Sequence, residues 1–97
     1  MKEIYCFQVE VNDKGWQGPY RFFEKVEDAV KSMRMAVARR IKFARAERRK
    51  VHHLKVWDDR PTGHLGELRS QTITVWLGKD FHEFRVFAYQ LHDAPCV

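Results

Sequence analysis

Serine is scarce in this chain, present only as Ser32 and Ser70, and cysteine occurs only as Cys6 and Cys96. Neither cysteine has a histidine at a motif spacing, so nucleophilic catalysis of the Ser–His or Cys–His kind has no support. There is no HExxH or CxxC spacing, which removes the common zinc signatures. Asp58-Asp59 and Glu67 flank a loop, but no third carboxylate or nearby lysine completes a magnesium site. Gly63-His64-Leu65-Gly66 is too short for a phosphate loop. The residues therefore predict no catalytic centre, no metal and no cofactor.

Longer features are missing too. No apolar run approaches the ~18 residues that a spanning helix needs. Met1-Lys2-Glu3 leads straight into an alternating pattern, so no signal peptide is expected. Two cysteines near opposite ends do not resemble a secreted disulfide framework, although they could meet in space. A reduced, cytoplasmic protein without membrane contact is the expectation. No repeat, low-complexity tract or linker divides the 97 residues, which predicts one domain over 1–97.

What is present is charge, unevenly placed. Lys25–Lys50 holds ten Lys/Arg and three Asp/Glu, a balance of +7. The other 71 residues hold eight basic and ten acidic groups, a balance of −2. The formal total of +5 thus belongs to one stretch. Segregated charge of this kind points to an anionic partner more strongly than its sum does.

That stretch reads as one amphipathic helix. At ~100° per residue, Val26, Ala29, Val30, Met33, Val37, Ile41 and Ala44 share a face, with Lys31, Arg34, Lys42, Arg45 and Arg49 opposite. Glu24, Glu27 and Asp28 in the first turn and Arg48, Arg49 and Lys50 in the last suit the macrodipole. A helix of 26 residues would be ~39 Å long, against ~25 Å for strands of seven or eight residues. Its last two turns would then overhang the sheet as a basic rod, a division that the intrusion of Arg40, Glu47 and Arg48 on the apolar face supports.

The rest of the chain is strand-like. Ile4–Val11 alternates, with Tyr5, Phe7, Val9 and Val11 on one side. Asn12-Asp13-Lys14-Gly15 turns it into a shorter strand, Trp16–Phe23, interrupted at Gly18-Pro19. Val51–Trp57 forms a strand with Leu54 and Val56 on one side and His53, Lys55 and Trp57 on the other. Glu67–Leu77 follows, and Gly78-Lys79-Asp80 turns it. Phe81–Leu91 fits helical and strand spacing alike, and its aromatic and β-branched content favours a strand. The order ββαβββ predicts an α+β two-layer sandwich, an antiparallel sheet of four to five strands on one long helix.

Two functions of different kinds follow as expectations, neither of them enzymatic. In the first, Arg34, Arg39, Lys42, Arg45, Arg48, Arg49 and Lys50 contact a polyanion, nucleic acid above all, because guanidinium groups pair with phosphate oxygens bidentately. The bland alternative is a solvated helix face. In the second, Trp16, Trp57 and Trp76 on an open sheet face dock on a larger or acidic protein. Small phage or mobile-element inhibitors and adaptors are often lone α+β domains of this size, an analogy of size and class alone. Met35 and Ala46, on the outward side, leave room for a homodimer through paired helices. His52 and His53, adjacent on a strand, are expected to face opposite ways and so not to chelate together.

Overall fold

The computed structural model describes residues 2–18, 21–60 and 68–91. Strand β1 (Lys2–Val11) precedes helix α1 (Val26–Ala46), and β2 (Val51–Asp59), β3 (Ser70–Leu77) and β4 (Asp80–Leu91) follow. The four strands form one antiparallel sheet in the order β1-β4-β3-β2, with α1 on one face. This is the expected α+β architecture. The ambiguous segment 81–91 is strand: it pairs with β1 from Lys2↔Leu91 to Val11↔His82. It meets β3 through the two-residue loop Gly78-Lys79, where Gly78 takes φ +65° as a tight hairpin requires.

The core lies between α1 and the inward residues of β1, β3 and β4. Ala29, Met33 and Val37 of the helix meet Phe7, Val9, Ile73, Val75, Leu77, Phe84 and Val86. Phe84, Met33 and Leu77 are essentially inaccessible, and burying each such side chain contributes about 1.5–3 kcal/mol.

The returning strand expected over Trp16–Phe23 is not continuous. Two isolated bridges, Val9↔Gln17 and Tyr5↔Phe23, hold the segment beside β1. Gly18, at φ +122°, breaks the extended backbone between them; a Cβ there would sit 3.3 Å from the Phe7 carbonyl oxygen. The sheet therefore has four strands, with this segment covering the outer edge of β1 at two points.

The helix is also shorter than expected. It has 21 residues, ~32 Å at ~1.5 Å per residue, and β1 with ten residues spans ~34 Å. Ala44 is fully buried and Ile41 packs on the core, so no basic rod overhangs the sheet. The stop comes from Arg48, which adopts φ +58°. Its N–H reaches the Arg45 carbonyl at 3.0 Å, and Arg49 N–H reaches the Ala44 carbonyl at 2.8 Å. This is a Schellman termination with arginine where glycine is usual, so composition gave no sign of it.

Candidate nucleic-acid interface

Between Ala29 and Ala46 the helix carries six Lys/Arg and no Asp/Glu. The apolar stripe that turns Met33 and Val37 inward turns Arg39, Lys42 and Arg45 outward, where all three are exposed. Arg48 and Lys50 are exposed just beyond the helix end. None of these five makes an ion pair among the described residues, where the pairs are Lys2–Glu24, Arg49–Glu47, Arg49–Asp80, Arg60–Asp58 and Arg85–Glu83. Like charges gathered along the outer face of α1 and at its end raise the local positive potential, and the nearby carboxylate of Glu47 is engaged by Arg49.

The other two predicted contacts are engaged within the fold. Arg34 donates from Nε to Gln71 Oε1 at 3.0 Å, and Gln71 donates from Nε2 to Asp58 Oδ1 at 2.7 Å. The chain of bonds ties α1 to β3 and β2 across the half-buried end of the sheet. Arg49 folds back over the β3–β4 loop. Its Nη2 donates to Glu47 Oε1 at 2.9 Å, its Nη1 lies 3.8 Å from Asp80, and its aliphatic carbons pack against Gly78.

Arg40 shows how the helix accommodates a cation at the rim of its apolar face. Its Nη1 lies 3.0 Å from His82 Nδ1, and its guanidinium stands 5.3 Å from the centroid of the Phe84 ring. Packing on the sheet, against an imidazole and an aromatic face, replaces the water it loses. Beside it, Arg21, Arg39, Arg40 and Phe43 border a shallow depression over Phe7 and Val9. Arg21 lies outside the helix, so charge counting along α1 could not find it. Phe43, 68% exposed, stands among these cations.

The opposite face of the sheet carries the tryptophans. Trp57, Thr72, Thr74, Phe81 and Arg85 border one depression there, and Trp57, Trp76 and Lys55 share another with His53. Trp76 lies 5.1 Å from Phe81 and 6.1 Å from His52, centroid to centroid. Trp16 meets Phe87 edge-on at 5.2 Å, with Arg85 5.4 Å from its ring. All three tryptophans thus belong to the face away from the helix.

His52 and His53 depart from the expected alternation. Their rings are 4.9 Å apart, because a bulge between His52 and Lys55 holds His53 at φ +54°. Beyond the extra residue the expected alternation holds: Val56 sits opposite Ile73 on the helix side, while Lys55 and Trp57 sit opposite Thr74 and Thr72 on the other. No group of three or more His, Cys, Asp or Glu able to hold a metal occurs among the described residues. The loop that composition predicts over 58–66 starts later, because Asp58 and Asp59 extend β2; residues 61 to 66 lie outside the described residues, as do His64, His92, Glu67 and Cys96. Burial pushes the Cys6 thiol above its ordinary 9.0, against opposing hydrogen bonds from Gln8 and Tyr89, so it stays protonated near neutral pH.

No described helix is long and apolar enough to cross a membrane. Comparison with protein-family models, curated proteins and solved structures finds no match for this chain.

Proposed function

We propose that this protein is a non-enzymatic polyanion-binding module, with nucleic acid as the ligand and the outer face of α1 as the contact surface. The observation that carries the reading is the set Arg39, Lys42 and Arg45 on α1 with Arg48 and Lys50 just beyond its end, all exposed and without ion pairs among the described residues, while the carboxylates of α1 itself are confined to its first turn. Cations placed this way pair with phosphates without first breaking an internal salt bridge. Arg34 and Arg49 serve the fold first and contribute field more than contact. A cytoplasmic setting fits such a ligand.

A second reading rests on a different observation. Trp57 is half exposed on the sheet face opposite the helix, within reach of Trp76, Phe81 and Arg85. Aromatic side chains with an arginine at hand form the centre of many protein interfaces. In this reading the chain is an adaptor or inhibitor that docks on a larger protein.

Anisotropy of labelled random-sequence duplex and single-stranded oligonucleotides separates the two. Reversal of Arg39, Lys42 and Arg45 to glutamate should abolish binding at low salt, while Trp57→Ala and Trp76→Ala should leave it intact. Wild-type protein that binds neither oligonucleotide at low salt overturns the first reading.

A further inference from the structure

The two edges of the sheet are treated differently. In an antiparallel ladder, alternate residues direct both backbone groups to the same neighbour. On β1 the outward groups of Tyr5 and Val9 are bonded to Phe23 and Gln17, at 2.7–3.0 Å. On β2 no such cover occurs among the described residues. Gly78 N–H donates to the Lys50 carbonyl at 2.7 Å, which sets the even-numbered residues of β3 toward β2. Their partners Lys55 and Trp57 face β3 in turn, so Val56 and Asp58 present N–H and C=O outward. Residues 53 to 59 are all exposed, with Leu54, Val56 and Trp57 each about half accessible. The bulge that could blunt this edge ends at Lys55, leaving a regular run to Asp59.

The side chains on that run are self-complementary. Lys55, Trp57 and Asp59 pair with Thr74, Thr72 and Ser70, so all three occupy the sheet face away from α1. Read in the opposite direction, the pattern becomes acid, aromatic, base. If a second β2 lies antiparallel with Trp57 opposite its own image, Lys55 stands opposite Asp59 of the second copy, twice. In the same register the outward groups of Val56 meet those of Asp58, so the backbone and side-chain requirements agree. Trp57 then falls in a non-hydrogen-bonded pair, where side chains approach most closely. Neither Lys55 nor Asp59 forms an ion pair within the described part of its own chain.

The geometry points to a homodimer built by antiparallel pairing of β2 with β2 of a second copy, in the register that places Trp57 on the two-fold axis. The sheet becomes eight-stranded. The axis runs perpendicular to it, so both copies of α1 lie on one face and all six tryptophans on the other. The interface does not involve the outer face of the helix, so it stands whether or not that face binds nucleic acid.

Sedimentation equilibrium on protein freed of nucleic acid by a high-salt wash tests this, at moderate salt and across a concentration series. The expected mass approaches twice 11.6 kDa. Lys55→Glu or Asp59→Lys alone should weaken the dimer about tenfold, because each puts like charges opposite one another, and the two together should restore it. Circular dichroism verifies that each variant is folded, and Trp57→Ser, which should give monomer, covers the case in which the double variant is not. A monomer at every concentration overturns the proposal, whatever else occupies that edge. So does a dimer that tolerates both single reversals or Trp57→Ser, or one that a folded double variant fails to restore.

Discussion

The Arg40 guanidinium and the His82 imidazole are 3.0 Å apart at the rim of the core, and the arginine must be the donor. An arginine keeps its protons, so His82 Nδ1 accepts and Nε2 carries the hydrogen. His82 is buried, and its pKa falls below the ordinary 6.5, first through burial and then through the charge of Arg40; Asp80 opposes the shift and Arg49 adds to it.

Stability should therefore depend on pH through this pair. The folded chain resists a proton that the unfolded chain accepts near 6.5, so the contribution is complete above that pH and declines as pH falls toward the lower folded value. The denaturant midpoint of wild-type protein should drop below pH 6.5. His82→Gln, which keeps an acceptor for Arg40 but cannot titrate, should show a shallower drop.

The helix stop offers a second test. Arg48 holds φ +58° at the position where glycine usually ends a helix. Arg48→Gly should raise stability by about 1 kcal/mol in urea titration, because relief of the left-handed strain exceeds the added flexibility of the unfolded chain. The same variant should weaken nucleic-acid binding, separating the fold's requirement at this position from the ligand's.

Gln71 is 2% exposed and links Arg34 to Asp58. Gln71→Ala should cost about 1–3 kcal/mol, since it removes two hydrogen bonds to charged groups at once. Arg34→Ala should reduce stability while changing oligonucleotide affinity less than Arg45→Ala does, because Arg34 already has a partner.

Much of the fold was legible in the sequence because its periods are clean. Tyr5, Phe7, Val9 and Val11 alternate, and Val26, Ala29, Met33 and Val37 recur at helical spacing; both sets face the same core. What escaped were single residues in unusual backbone states. Arg48 and His53 take positive φ without the glycine or asparagine that would announce it; the first set the helix end and the second brought the His52 and His53 rings together. Gly18 was visible as a break, but its closeness to the Phe7 carbonyl is a property of the packed sheet. The candidate site divided similarly. Outward cations such as Lys42 follow from the wheel, whereas the engagement of Arg34 with Gln71, 37 positions away, depends on topology.

The salt dependence of duplex DNA binding tests the basic face of α1 most directly. Each phosphate neutralised contributes about 0.9 to the slope of log affinity against log salt. If Arg39, Lys42, Arg45, Arg48 and Lys50 all meet phosphates, the expected slope is about −4.5, and replacing Arg39, Lys42 and Arg45 by alanine should make it shallower by about 2.7. A slope near zero, or one that the triple replacement leaves unchanged, contradicts a phosphate-binding role for this helix.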